Sequence, residues 1–155
     1  MKIHTRIIYT PLGNMIATAN ESAITSLDFT DEAIRVENDG TPLLIQLEKE
    51  LKNYFEGKLH TFTLPLAPQG TPFQEAVWKT LCSISYGETI SYAREAALFG
   101  NPKAIRAVAS ANGRNPIAIL IPCHRVIASD GTLGGYSGGL DKKEFLLRLE
   151  GKYFL

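Results

Sequence analysis

Cysteine is scarce in this sequence. Cys82 and Cys123 are its only two in 155 residues and stand 41 positions apart, which excludes a disulfide framework. Three scattered histidines add no CxxC or HxxxH spacing for a metal. Long hydrophobic runs are missing too. The longest aliphatic stretch, Ile117-Ala118-Ile119-Leu120-Ile121, falls far short of the ~20 residues that span a bilayer. The start, Met1-Lys2-Ile3-His4-Thr5-Arg6, lacks the apolar centre of a secretory signal. Net charge is absent as well: 16 Lys and Arg balance 16 Asp and Glu, so the total points to no partner. At 45% hydrophobic and 21% charged residues, the composition excludes a disordered chain. These exclusions leave a soluble, cytoplasmic globular protein of one ordinary domain or two small ones, with no membrane association.

The zero net charge hides an asymmetry. Dividing the chain at Leu66-Ala67-Pro68-Gln69-Gly70-Thr71-Pro72 puts six basic and nine acidic residues in 1–68, but ten basic and seven acidic in 69–155. A polyanion should therefore meet the second half first. The first half reads as scaffold. Strands are expected over residues 3–9, 15–19 and 23–29, with turn chemistry at Pro11-Leu12-Gly13-Asn14 and Asn20-Glu21-Ser22. A helix is expected over residues 42–55, with Leu44, Leu47, Leu51, Tyr54 and Phe55 at helical spacing, a Glu48–Lys52 pair and a close at Gly57. Residues 59–66 alternate like a further strand. His4 and His60 stand alone, as structural or surface residues.

The second half is punctuated by helix signals. Thr71-Pro72-Phe73-Gln74 is a capping box with proline at the first helical position. The helix it starts presents Phe73, Val77, Trp78 and Leu81 and is expected to stop near Tyr86-Gly87. Ser91 caps a second helix ended by Gly100, and Asn101 caps a third over residues 103–111. Helices joined through Gly100-Asn101 form a helix-turn-helix pattern. The third carries Ala104, Ala107, Ala109, Ser110 and Ala111, with Lys103 and Arg106 as its long side chains. Such a surface packs tightly against neighbouring helices, or lets a backbone enter a narrow groove while Arg106 reaches inward.

The stretch Asn115-Pro-Ile-Ala-Ile-Leu-Ile-Pro-Cys-His-Arg-Val126 carries the chemistry. Its β-branched run reads as a buried strand that Pro122 terminates. Cys123 follows, beside two potentially cationic residues that would lower its thiol pKa and make it a nucleophile. In an extended segment His124 would point away from its neighbour's sulfur, so a bridging water is expected between them. A carboxylate should hold the other imidazole nitrogen. Glu150, Asp130 and Glu144 are the candidates. Cys82, in a helix with no adjacent base, reads as structural.

Pro122-Cys123-His124-Arg125-Val126 resembles the active-site motif of the O6-alkylguanine-DNA alkyltransferases. The likeness spans most of residues 71–151. It takes in Ser91-Tyr92, Gly100-Asn101-Pro102-Lys103-Ala104, Arg106-Ala107-Val108, Asn115-Pro116, Tyr136-Ser137-Gly138-Gly139-Leu140 and Glu150-Gly151. Residues 1–68 resemble the family's variable N-terminal domain in length and architecture. The resemblance implies an α+β fold: an N-terminal, RNase H-like domain with a small mixed sheet (1–68), then a mainly helical, winged helix-turn-helix domain (69–155) that binds DNA and accepts the alkyl group.

What the resemblance implies for function is repair of duplex DNA by irreversible, single-turnover transfer of an alkyl group from guanine O6 to Cys123, after the damaged base is flipped out. Catalytic roles fall to Cys123 as acceptor, His124 as water-assisted base, Glu150 as its orienting acid and Tyr92 as the phenol that neutralises the departing guanine. Asn115 matches a hinge, and Val126, Tyr136 and Ser137 line the base site, with carbonyls of Cys123 and Val126 accepting from the guanine amino group. Arg106 fills the hole left by the base, and Lys103, Ala104, Ala107 and Arg125 belong to the DNA-binding set. Neither metal nor organic cofactor is expected. The first half has no cysteine for the zinc site of some relatives, and a dedicated repair protein, monomeric in solution, is expected. The alternatives are a non-catalytic module that binds alkylated DNA and recruits other repair proteins, for which Cys123 is superfluous, and a cysteine hydrolase using Cys123 and His124.

Overall fold

The computed structural model describes residues 2–31 and 40–151. It is an α+β protein whose backbone divides into two compact units, one of residues 1–69 with Pro116–Ala118, the other of Gly70–Asn115 with residues 119–155.

In the first unit, β1 (His4–Thr10), β2 (Gly13–Ala19) and β3 (Ile24–Phe29) form an antiparallel meander in the order β1-β2-β3. The tight turn after β1 is held by Thr10, whose hydroxyl donates to Gly13 O at 2.7 Å. The helix α1 (Pro42–Phe55) packs on β1 and β2 and buries Leu44, Leu47, Leu51 and Tyr54, the stripe that its 3.6-residue period dictates. Each such side chain contributes roughly 1.5–3 kcal/mol when fully buried. Glu48 does not pair with Lys52 as its spacing suggested. It accepts a 3.0 Å bond from the Arg6 guanidinium of β1, a tertiary partner with a longer reach.

Residues 59–66 do not form the expected strand. The buried Glu50 carboxylate accepts from Thr63 N at 2.9 Å and from its hydroxyl at 2.6 Å, which pins the segment to α1. Only Leu66 bridges β3, opposite Ile24. The aliphatic run at 117–121 is not a strand either. Ile117 makes a single parallel bridge to Leu27. The chain then turns through Ile119, which is buried at φ 72°, a left-handed conformation that a β-branched residue adopts only under constraint. That constraint includes Ile121 O, which accepts both Asn115 Nδ2 at 2.7 Å and Cys123 N at 2.8 Å.

The second unit starts with α2 (Pro72–Leu81), whose reciprocal capping box forms as the sequence indicated. Trp78 inside it donates from Nε1 to Ala111 O at 2.8 Å. The helix stops at Leu81, short of Tyr86, where Ser83 turns its hydroxyl back onto Thr80 O at 2.6 Å and competes with the helical ladder. After β4 (Ile90–Ser91), Ser91 caps α3 (Tyr92–Phe99) by accepting from Arg94 N. Gly100, at φ 101°, ends it. The next helix, α4 (Ile105–Gly113), begins later than expected, because Asn101 accepts from Lys103 N and holds residues 101–104 in a turn. Val77, Ala96, Val108 and Ala111 form the core that fixes this helix-turn-helix. Cys123–Arg125 make one turn of 3-10 helix, β5 (Val126–Ile127) pairs in parallel with β4, and α5 (Leu140–Leu149) follows. Among the described residues no helix is long and apolar enough to cross a membrane.

The capping box gives a stability test confined to one helix end. Thr71→Ala removes one of its two bonds and should cost about 1 kcal/mol of unfolding free energy in urea titration, with the denaturant slope unchanged.

Candidate active site

The 3-10 turn places three consecutive side chains in three different settings. Cys123 is buried at the wall of a cavity of about 350 Å³ lined by Tyr92 of α3, Ala109, Asn112 and Gly113 of α4, and Gly135, Tyr136 and Ser137 of the loop before α5. That volume lies in the range of small-molecule sites, roughly 300–1,000 Å³. Its Sγ accepts from Asn115 Nδ2 at 3.3 Å. His124, fully buried, meets Glu150 Oε2 through Nε2 at 2.8 Å. Arg125 takes the other side of that carboxylate, with Nε to Oε1 at 2.8 Å and Nη2 to Oε2 at 3.1 Å, and Nη1 donating to Ile84 O.

Glu150 is therefore the carboxylate that reaches His124, and of the three sequence candidates neither Asp130 nor Glu144 is the partner seen. Asp130 bonds Thr132, and Glu144 pairs with Arg148. Burial alone would raise the Glu150 pKa, but the bonds from His124 and Arg125 outweigh it and bring it down to about 2. An ionised Glu150 requires the proton of a neutral imidazole to sit on Nε2, which leaves the Nδ1 lone pair as acceptor. That Nδ1 is buried and has no partner among the described residues. Burial keeps the His124 pKa below its ordinary value, so the ring rests neutral.

The electrostatics correct two expectations. The cations next to Cys123 in sequence do not lower its pKa. Burial raises it above the ordinary thiol value, only partly opposed by the Asn115 bond and the Lys143 charge. The reason is geometric: His124 is neutral and the Arg125 charge is spent on Glu150. For the same reason Arg125 is not available to DNA. It is buried in a bidentate pair with Glu150, in contrast to the DNA-binding place expected for it.

The cavity brings together Cys123, Tyr92, Tyr136 and Ser137, with Asn115 bonded to the sulfur. Burial raises the Tyr92 pKa, so the phenol stays protonated; its oxygen accepts from Gly135 N at 3.2 Å. Gly134, at φ 73°, is required beside it, because a Cβ there would lie 2.6 Å from that phenol oxygen. The Tyr136 hydroxyl is buried without a partner among the described residues. Val126 O is taken at 2.6 Å by Lys143 Nζ, leaving one lone pair of that carbonyl. Arg106 and Ala107 are exposed on α4 and Lys103 on the turn before it, none of them in the cavity lining, and Ala104 is half-buried. Cys82, read as a structural residue within a helix, stands at the C-cap of α2 and is exposed.

Two charged residues of the site escaped the sequence reading. Lys143 is fully buried, donates to Val126 O and Gly135 O, stands 5.8 Å from the Tyr92 ring centre and is brought down to about 8 by burial. Glu95 is fully buried on α3 and accepts from Asn112 Nδ2 at 2.7 Å. Both were visible in principle, since Lys143 shares the buried face of α5 with Leu146 and Leu147, and Glu95 adjoins the core residue Ala96. A charge on an apolar face is an anomaly that signals a tertiary partner.

Fold and site together describe an α+β helix-turn-helix protein with a cysteine as its candidate nucleophile. Residues 3–68 match the family model for the 6-O-methylguanine DNA methyltransferase ribonuclease-like domain, and residues 72–152 that for the DNA binding domain. The chain belongs to the 6-O-methylguanine DNA methyltransferase family. It is 50% identical over 149 residues to the methylated-DNA–protein-cysteine methyltransferase of Methanosarcina barkeri, covering 93% of this chain and 94% of that one. It is 45% identical over 150 residues to the constitutive enzyme of that name from Bacillus subtilis, covering 91% of each. The crystal structure of Mycobacterium tuberculosis OGT in complex with DNA superposes with a TM-score of 0.87 at 43% identity, over 95% of this chain and 92% of that one.

The shared carboxylate carries a pH signature. The Glu150 pKa lies below its ordinary 4.5 in the folded protein, so its stabilisation is complete above pH 4.5 and is lost as the pH falls toward about 2. Glu150→Gln should therefore be less stable than the parent near neutrality, and thermal melts should show the gap narrowing through that acid window. Glu150→Ala, which strands the Arg125 guanidinium, should cost about 3–5 kcal/mol.

Proposed function

We propose that the protein repairs duplex DNA by moving a methyl or other alkyl group from guanine O6 to Cys123 Sγ, once per molecule. The observation that carries this reading is a thiol at the wall of a base-sized cavity, beside a buried imidazole whose outer nitrogen is tied to an ionised carboxylate. Residues 69–155 act as the DNA-binding and alkyl-accepting domain, and residues 1–68 as its scaffold.

The sulfur rests as a neutral thiol and becomes a nucleophile only when a base is in place. His124 Nδ1 takes the thiol proton through a bridging water, and Glu150 stabilises the imidazolium that forms. The thiolate attacks the alkyl carbon in line with the C–O6 bond. A C–S bond forms, the C–O bond breaks, and its electron pair stays with guanine. Tyr92, held as a phenol, gives the leaving base a proton and recovers one from the imidazolium. Atoms and electrons balance without a further reactant. Asn115 holds the sulfur in place, while Ser137, Tyr136 and the Val126 carbonyl frame the base. A thioether is not readily hydrolysed, so the product is final.

The exposed face of α4 supports entry into the minor groove, with small Ala107 allowing close approach, half-buried Ala104 at the start of the helix and Arg106 filling the vacated stack. Lys103 adds charge toward phosphate. All the groups of the site come from one chain, which favours a monomer. A genomic duplex as substrate and a thiol that must stay reduced favour the cytoplasm.

Mixing the protein with an equimolar O6-methylguanine duplex should add one methyl mass to the peptide containing Cys123, with no second turnover when DNA is in excess. Cys123→Ala should abolish the transfer. A methyl found on Cys82, or continued turnover, would refute the assignment. Arg106→Ala should slow repair in duplex by about tenfold or more, the scale of a few kcal/mol of unstacking, while leaving reaction with free O6-methylguanine base nearly unchanged. Equal losses on the two substrates would remove Arg106 from base extrusion.

A further inference from the structure

Two buried acceptor atoms near the cavity have no donor among the described residues: Glu95 Oε2 and Asn112 Oδ1. They belong to the two planar groups that already share one bond, Asn112 Nδ2 to Glu95 Oε1 at 2.7 Å. A carboxylate facing a carboxamide can make only that single bond, because oxygen then faces oxygen on the other side. A carboxylic acid can make two, with its O–H donated to the amide oxygen. We propose that Glu95 is a positioning residue for the cavity: on the acid side of neutrality it carries a proton, and Oε2–H donated to Asn112 Oδ1 completes a two-bond clasp between α3 and α4.

The clasp sits where it can matter. Asn112 lines the cavity and Tyr92 is on the same helix as Glu95, so the clasp fixes the distance between two cavity walls contributed by the helix-turn-helix. The fully buried carboxyl has lost its hydration, and an anion there would be an uncompensated cost. The groups that bear on it are the Lys143 ammonium of α5, which favours the anion, the Cys123 thiol, and the Tyr92 phenol one turn away. Burial outweighs Lys143 and the Asn112 bond, and Glu95 rises from 4.5 to about 7. The proton also serves the sulfur, since a Glu95 carboxylate would oppose formation of the Cys123 thiolate. Ionisation of Glu95 thus opens half of the clasp and adds a negative charge near the nucleophile. The sign is unusual for a carboxyl: its contribution to folding is complete below pH 4.5 and is lost as the pH rises through 7.

Glu95→Gln separates this idea from a merely structural role, because glutamine supplies the N–H that the acid's O–H supplies and cannot ionise. Carbon-13 NMR of protein labelled at glutamate side-chain carboxyls should show one resonance, absent from the Glu95→Gln spectrum, that titrates with a midpoint near 7. A Glu95 carboxyl already ionised well below pH 6 overturns the proposal. Should the variant not fold, sequential assignment in the wild-type protein decides the same point. The activity arm rests on the function proposed above. With O6-methylguanine duplex, the ratio of the Glu95→Gln rate to the wild-type rate should rise by about tenfold between pH 6 and pH 8.5, the equivalent of one pKa unit of coupling. A ratio flat with pH overturns the proposal. If neither protein transfers a methyl group, the function reading fails, and the NMR titration still decides the clasp.

Discussion

One buried carboxylate organises the site. Glu150 arrives at the end of α5 and receives His124 on one oxygen and Arg125 across both, donors that are consecutive in the chain and belong to the 3-10 turn that opens with Cys123. Gripping two successive side chains fixes the direction of that turn, and so also the place of the sulfur that precedes them. A buried charge is tolerated only when its bonds are complete, and this one meets a full guanidinium and an imidazole N–H. The arrangement explains why a residue 27 positions from the cysteine has such leverage on it.

The same carboxylate sets the charge economy of the surroundings. Arg125 and Glu150 cancel each other, His124 rests neutral, and burial holds the thiol and the Tyr92 phenol in their protonated forms. The reactive state is thus not stored at rest. Lys143 is the exception, a cation fully surrounded by protein and directed at the carbonyl oxygens of buried Val126 and of Gly135, which lines the cavity.

Local signals were the most legible part of the sequence. The capping box at Thr71, the serine cap at Ser91, the glycine stop at Gly100 and the limits of α1 all follow from short-range chemistry, and the structure reproduces them. The run at 117–121 misled because its composition is that of a strand while its path is set by side chains remote from it. Neither the Asn115 amide on Ile121 O nor the left-handed Ile119 leaves a trace in hydrophobic periodicity. Residues 59–66 failed for a like reason, with Glu50 replacing a ladder. At the site, Cys123, His124 and Glu150 were legible through the motif. Arg125 was misassigned because a sequence shows charge without showing its partner. Glu95 and Lys143 were missed because the burial of a charged side chain on α3 or α5 is set by tertiary partners that lie far away in the sequence.

The contrast between the two cysteines sorts electrophiles by their route of arrival. Small reactive molecules diffusing in bulk solvent meet exposed Cys82 at the end of α2 first, whereas the Cys123 sulfur is buried; burial raises the pKa of both thiols, so access and not ionisation separates them. Shielding thereby spares the inner thiol from oxidants and stray alkylating agents in bulk solvent.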